Sequence, residues 1–585
     1  MTMHGLLRSA GLPTLMLMGL GAGGAYANLG EGAPKIPAEL AKAQTCRMAN
    51  IPTQIFSAEG VKAFEEAEPP LWTDLGRISW PITTSNKEAQ AYFDQGLRLA
   101  VNFNHAEAVR AFRKAQRLDP NCAVCFLGEA LVLGPNINVP MDPAANAPAL
   151  AALNKALELA PGATQKERDL ITAVATRYSS DPAAERPALD EVFAAATAAL
   201  SDKYPDDLQF AVLAAEAGMD TQPWDYWEPG GKEPKGHTAD VQKRLEGVLA
   251  KDPNHPGAIH LYIHLVEASD RPERAEPYAD RLAAQMPGAG HIVHMPSHIY
   301  FRIGRYVDSV ASNKAASKVD EDYITQTGAM GVYPIGYYSH NVHFVLVSAA
   351  LIGDRETALA QADKLDRWLT NEVATALPIA QPVKSAPYFA WAEYGVPDQV
   401  LAMAEPAGAP PYVKAMWHYA RGIASARKRD AATARAEATA IDQVLNDTDW
   451  STMDEWNIPA RPVLQVASDV VRARAAQAEG SDVNALEHLK AAAETQDTIP
   501  YMEPPYWYYP VRQSLGAALL RQGKADEAAQ EFNAALEHAR GSALPLYGLQ
   551  QAATAKGDTA AADRYGAELA KNWKGEPAML SLERM

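Results

Sequence analysis

A chain of 585 residues is too long for one compact core, so several domains or an extended repeat array is expected. Alanine, leucine and glutamate dominate and β-branched runs are few, which favours helix throughout. The formal charge of -18 at pH 7, with no Lys/Arg cluster, argues against nucleic acid and anionic membrane as partners.

Residues 1–27 read as a secretory signal peptide. Arg8 supplies the positive start, Leu12 to Leu20 an apolar stretch, and Ala25-Tyr26-Ala27 a small-residue cleavage box before Asn28. The apolar stretch is too short to span a bilayer, and no later run reaches the ~20 apolar residues that insertion needs. The expected product is soluble and periplasmic or secreted. Residues 28–87 carry many prolines and little periodicity, and are expected to form an extended N-terminal arm. In an oxidising compartment, Cys46, Cys122 and Cys125 predict one disulfide and one buried thiol. A link from Cys46 to one of the pair would tie the arm to the first repeat, although spacing alone leaves the pairing open. Phe126 after Cys125 removes a haem-attachment reading, and no second CxxC supports a zinc ribbon.

From Glu88 onward the pattern is one of alanine-rich amphipathic helices. Tyr92, Gly96, Ala108, Phe112, Ala115 and Pro120 recur at fixed offsets. Leu515, Gly516, Gly523, Ala528, Phe532 and Ala535 repeat the set, followed by Gly557 and Ala562, with a weaker copy around Trp417, Gly422 and Ala434. Over most of residues 88–570 the chain resembles the tetratricopeptide repeat family. That resemblance implies an all-α fold of helical hairpins forming a right-handed superhelix.

Three central units follow the same frame. One runs 256–289, with Gly257, Ala275, Ala279 and Pro287 in register. The next runs 290–323, with Gly304 and Ala316, and the third starts at 339, with Gly353, Ala358 and Ala362. An insertion at 324–338 contains Tyr333, Tyr337 and Tyr338, and with Tyr323 it is expected to cover part of the groove. A second, from Asp220 to His237, carries an aromatic run from Trp224 to Trp227. The expected domains are repeats 88–255, a histidine-rich block 256–375, and repeats 376–585.

The histidines are concentrated in the middle block. Eight of fourteen lie between His255 and His343, where an even spread would give about two. In the resembled family the second, fifth and ninth positions of each first helix line the concave groove. Here those positions hold His260 and His264, then His291, His294 and His298, then His340 and His343. The register comes from the glycines, alanines and Pro287, not from the histidines. Seven imidazoles aimed at one groove would repel or desolvate one another without a shared partner, so they read as metal ligands. Their number suggests two ions. All-imidazole ligation suits copper, iron or zinc, with nickel as a further candidate.

Glu267, on the same stripe, is expected as a bridging ligand or general base, with Tyr300 or Tyr338 as a hydrogen-bond donor behind the ligands. Met295 points off the stripe. His105 is expected to bond a helix start, Asn136 and Asn138 to form a turn near the groove, and Trp507, Tyr508 and Tyr509 to pack the C-terminal repeats.

The segment His294-Met295-Pro296-Ser297-His298-Ile299-Tyr300 resembles a group of exported bacterial tetratricopeptide proteins without an established activity, which implies fold and site but no reaction. No nucleophile elbow, P-loop, dinucleotide fingerprint or HExxH motif is present. The leading expectation is a metal-dependent enzyme, with oxidoreductase chemistry favoured and a ligand of unassigned identity, small molecule or peptide, in the groove. The alternatives are a protein-docking repeat module and a metal delivery or storage protein without turnover.

Overall fold

A computed structural model describes residues 58–181 and 183–585. The signal-like segment and Cys46 lie outside the described residues. The architecture is an all-α superhelix of helical hairpins. Among the described residues, extended pairing is limited to the isolated bridges Asn136–Val139 and Trp227–Pro234.

The hairpins close through aromatic side chains set against glycines. Phe112 fills the space that a side chain at Gly96 would need, since a Cβ there would lie 2.5 Å from its ring. Gly128, on the next helix, faces the same ring at 2.4 Å, so one phenylalanine locks three helices. Phe532 does the same between Gly516 and Gly548, at 2.8 and 2.3 Å. A bulkier residue at any of these glycines would force the helices apart.

The hairpin turns share a second rule. In five of them a three-residue turn has a left-handed glycine at its middle: Gly304 (φ 83°), Gly353 (75°), Gly480 (78°), Gly523 (78°) and Gly557 (73°). Glycine is the residue that accepts this conformation without strain. The hairpin Lys87–Val101/His105–Leu118 puts Phe103 (φ 53°) at that position instead, and Pro411–Arg427/Ala431–Asp447 puts Arg429 (φ 61°) there.

The superhelix curls until distant repeats touch. Asn102 accepts from the Ile292 amide at 3.2 Å and donates to the Tyr333 hydroxyl at 3.2 Å. The Gly304 turn meets the C-terminal repeats, with Asn572 donating to the Gly304 carbonyl at 3.1 Å. Residues 69–86 run extended along the first hairpins, held by Trp80 Nε1 donating to Asp207 at 3.0 Å and by the Gly288 amide on the Asp74 carbonyl at 2.9 Å. Cys122 and Cys125 are bonded to each other, not to Cys46, because Cys122 caps the helix Ala123–Val132 and Cys125 sits in its first turn. No described helix is long and apolar enough to cross a membrane.

The 324–338 segment is shorter as a loop than its sequence suggests. The helix Tyr306–Thr327 absorbs its start and Gly328 caps it at φ 66°. Tyr333–Tyr338 then forms a wide π-helical turn that runs straight into the helix Ser339–Leu351. Such turns are rare and cluster at functional sites.

Candidate metal centre

Four short helical pieces deliver the histidines. Pro256–Val266 carries His260 and His264, Gly290–His294 carries His291 and His294, Pro296–Arg302 carries His298, and Ser339–Leu351 carries His340 and His343. The middle two would be one helix but for Pro296, which has no amide hydrogen for the ladder. The interruption falls between His294 and His298.

The structure sorts six of the seven groove histidines into two triads, His260/His264/His291 and His294/His298/His340. The ligand nitrogens of each lie within 4.8 Å of one another. All are buried except His340, which is partly exposed. The triads share a wall, with His264 and His298 ring centres 5.3 Å apart and His291 and His294 at 5.6 Å.

Glu267 joins them. His264 Nδ1 donates to Glu267 Oε1 at 2.9 Å and His298 Nδ1 to Oε2 at 2.7 Å, so one carboxylate holds a ring from each triad. Burial alone would raise this carboxyl, but the His298 and His264 rings outweigh it and hold it at about 2. Glu267 therefore stands behind the rings as their anchor. Both its oxygens meet Nδ1 hydrogens, on the side of the rings away from Nε2, which places it as an anchor rather than as the bridging ligand that its stripe position suggested.

Hydrogen-bond logic fixes the tautomers. Asn313 Nδ2 donates to the Ser309 carbonyl at 2.8 Å, which leaves Asn313 Oδ1 to accept from His294 Nδ1 at 2.6 Å. Neutral His294 and His298 therefore both carry their proton on Nδ1. Their Nε2 atoms nevertheless face each other at 2.8 Å. Two lone pairs at that distance repel unless a cation lies between them. In the first triad only His264 has its Nδ1 proton fixed in the same way, since His291 Nδ1 has no hydrogen-bond partner and His291 is free to donate from Nε2. His260 Nε2 and His291 Nε2 are 3.0 Å apart, and His264 Nε2, buried, has no hydrogen-bond partner.

Each triad has an aromatic cover. Phe103 lies 4.4, 6.2 and 5.4 Å from the His260, His264 and His291 rings. Phe344 lies 5.0 Å from each of His294, His298 and His340. A left-handed phenylalanine costs about 1–3 kcal/mol. The Phe103 turn accepts that strain and gains a ring over the first triad. Trp224, also left-handed (φ 65°), brings the 220–237 insertion edge-on to His264 at 5.2 Å. From the π-turn, Tyr337 meets His291 at 4.8 Å, and the Tyr333 hydroxyl accepts from the His291 amide at 3.3 Å and donates to Asp320 at 2.9 Å. Asn136 and Asn138 face the Tyr337 hydroxyl, so their turn does border the site.

Other expected site residues lie elsewhere. His343 points away from both triads; its Nε2 meets the Tyr508 hydroxyl at 2.7 Å, and burial pushes it down to about 3. The Tyr300 hydroxyl donates to Asp280 at 2.8 Å, with Arg305 over its ring, on the outer side of the repeat. Tyr338 donates to Glu321 and packs on Trp368, so it does not serve the ligands. Met295 is fully buried in apolar core. Asn104, not His105, caps the helix at its start, and the His105 ring bonds the Val132 backbone. Trp507 and Tyr509 pack the C-terminal repeats as expected, against Tyr419.

Sequence reasoning missed Phe103, Phe344, Asn313 and a C-terminal strand of chain. Tyr501 contacts Glu267 Oε2 at 3.1 Å and Glu503 Oε1 at 3.0 Å. Arg302 secures this corner by donating to the Glu267 carbonyl at 2.8 Å.

Electrostatics mark the centre as one that resists protons. Burial first, then neighbouring rings, pushes His260, His291, His294 and His340 well below the ordinary imidazole value. Burial also lowers His264, against the pull of Glu267. The unfolded chain takes up these protons near pH 6.5 and the folded chain does not. Below that pH the unfolded state binds more protons, so this stability is present above ~6.5 and is lost progressively as pH falls. Chelator-stripped protein is therefore expected to melt several degrees lower at pH 5.5 than at pH 7.5. An equal or higher melting temperature at pH 5.5 would contradict the buried, neutral state of these rings.

Fold and site together define a tetratricopeptide-like repeat protein carrying two buried three-histidine groups that could hold metal ions. No protein-family model matches the chain, and no curated protein is detectably similar in sequence. Among solved structures it is similar to the human IFIT1 dimer with m7Gppp-AAAA, at 11 % identity over 90 % of this chain and 94 % of that one, TM-score 0.31. It is similar also to yeast Tom70, at 12 % identity over 91 % and 98 %, TM-score 0.26. The TPR domain of P58(IPK) aligns at 14 % identity over 80 % and 99 %, TM-score 0.21. Nothing about function follows from likenesses of this size.

Proposed function

We propose that the chain binds two metal ions, one per triad, and acts as an exported oxidoreductase that uses dioxygen. The observation that carries the reading is the pair of facing Nε2 lone pairs at 2.8 Å, with both Nδ1 atoms already hydrogen-bonded to Asn313 and Glu267. A metal ion relieves that repulsion and uses lone pairs that are already aimed. Six imidazoles with no thiolate and no carboxylate in the ligand set suit copper better than iron, and copper outranks zinc at nitrogen sites. Three protein ligands per ion leave a position open, which favours turnover over storage. Two ions side by side supply or accept two electrons together, which matches reduction of dioxygen to hydrogen peroxide. The leader-like residues 1–27 and the buried Cys122–Cys125 disulfide support an oxidising compartment.

A second reading is a protein-docking scaffold, supported by the helical-repeat architecture itself. In the central groove the positions available to a partner are histidines covered by Phe103, Phe344 and Tyr337, so a docked peptide would have to displace the chain's own side chains. Metal analysis of the purified full chain separates the two. Two ions per chain, with copper leading, are expected. Less than a tenth of an ion after growth in copper, iron and zinc would overturn the metal reading and leave the scaffold.

A further inference from the structure

A polar corner beside the first triad has no part in holding its rings. Two of its walls come from the 220–237 insertion, Trp224 and Tyr226, and a third is Tyr337 of the π-turn. Trp224 meets the His264 ring at 5.2 Å and Tyr337 meets the His291 ring at 4.8 Å, so the corner borders two rings of that triad. Its floor is the end of the helix Leu208–Asp220. Glu216 and Asp220 lie one turn apart on one face of that helix, and both act on the Arg177 guanidinium. Arg177 Nη2 donates to Asp220 Oδ2 and to the Pro135 carbonyl, each at 2.7 Å. The second bond brings up the turn whose Asn136 and Asn138 face the Tyr337 hydroxyl.

Four buried side-chain oxygens around this corner have no hydrogen-bond partner. They are Asp220 Oδ1, Asn138 Oδ1 and the hydroxyls of Tyr226 and Tyr337. Asp220, Tyr226 and Tyr337 are only 6, 2 and 7 % exposed, and unpartnered polar atoms at such depth are rare enough to point to an occupant.

The charge count decides its class. Arg186 Nε pairs with Asp190 Oδ1 at 3.0 Å and Arg177 with Asp220, which leaves Glu216 without an ion pair among the described residues. His105, the neighbouring imidazole, is held down to about 4 by burial and by Arg177, and is neutral. One negative charge is therefore uncompensated. Burial pushes both Glu216 and Asp220 up, and the Glu216 charge adds to the effect on Asp220. A bound cation removes that cost.

We propose that this corner binds a primary ammonium group, with its charge at Glu216 and Asp220 and its organic part against Trp224, Tyr226 and Tyr337. Aromatic faces attract cations, and an ammonium carries three hydrogens for Asp220 Oδ1, Glu216 and Asn138 Oδ1. A neutral alcohol brings one hydrogen and no charge. Trp224 and Asn138 are half-buried and mark the way in from solvent. The charge imbalance is set by the chain's own residues, so the site does not depend on an ion in the triads.

The test is isothermal titration calorimetry of the full chain, chelator-stripped and copper-loaded, with 2-phenylethylamine and with its neutral counterpart 2-phenylethanol. The amine is expected to bind at least tenfold more tightly than the alcohol. Glu216→Gln, at a half-buried position, is expected to weaken amine binding at least tenfold with little change in melting temperature, and Tyr226→Phe to weaken it by a smaller factor. Equal binding of amine and alcohol, no binding of the amine, or wild-type amine affinity in Glu216→Gln would each overturn the site. Amine binding by a chain that takes up no metal would overturn the metal reading and leave this site standing. Metal uptake without amine binding would do the reverse.

Discussion

Glu267→Gln should lower the metal content of the chain from two ions to about one. A carboxylate accepts from both His264 Nδ1 and His298 Nδ1. A glutamine offers one acceptor oxygen and one amide that only donates. The ring that meets the amide must move its proton to Nε2, which removes a ligand lone pair from its triad. Loss of an outer anchor usually weakens a metal site roughly 10- to 100-fold. Here the tautomer is forced as well, so one site should empty under limiting metal while the other stays filled. Elemental analysis after dialysis against a weak chelator reads this directly. Two ions retained at wild-type affinity would show that Glu267 does not set the tautomers. Glu267→Asp, which keeps both acceptors on a shorter stem, should retain more metal than the glutamine variant.

The same shared carboxylate makes the two triads one unit. An ion entering the first triad orders His264 and with it Glu267, which presents its other oxygen to His298. The two ions are therefore expected to load together rather than independently. Fixing the outer atoms once lowers the ordering cost of the second event.

How far the sequence reached is clear from particular residues. The histidine register was legible because tetratricopeptide glycines and alanines fix each helix independently of what its groove face carries. The division into two triads is not legible in that register, which makes 290–302 a single helix. On an unbroken helix His291, His294 and His298 share a stripe, whereas the chain is interrupted at Pro296. Proline within that segment was the available signal. His343 failed for a tertiary reason. It lies one turn beyond His340, where Tyr508 of a distant repeat competes for its ring.

Phe103 was readable. Five three-residue turns align at Gly304, Gly353, Gly480, Gly523 and Gly557, and of the two non-glycine residues in that column, Arg429 and Phe103, only Phe103 adds an aromatic ring at an identifiable physical cost. Phe344 was also readable, one helical turn after His340. Tyr501 and Glu503 were not. Their approach to Glu267 depends on how far the superhelix curls, and that angle is the sum of many small packing rotations between repeats. The same curl brings Asn102 against Tyr333 and Ile292. The disulfide turned on a local fact instead. Residues three apart at a helix start lie close enough to bond, with a Cα separation of 5.4 Å for Cys122 and Cys125.

His294→Ala is the sharper test of where the centre's boundary lies. His294 faces His298 at 2.8 Å, packs on His340 at 4.8 Å and stacks on His291 at 5.6 Å, so it stands where the two triads meet. Alanine leaves its triad with two imidazoles, too few to hold an ion against a chelator. It also strips Asn313 Oδ1 of its imidazole donor, at a cost of about 1–3 kcal/mol. The expected outcome is loss of one ion, loss of any dioxygen-dependent activity that needs the pair, and a lower melting temperature. His264→Ala should empty the other triad and mirror the result. His105→Ala is the control. Its ring lies beyond Phe103, 6.2 Å from it, bonded to the Val132 backbone, and its loss should leave both ions in place. Equal metal loss from His105→Ala and His294→Ala would mean that the centre extends past Phe103. Full retention in His294→Ala would mean that the facing nitrogens share a proton rather than an ion.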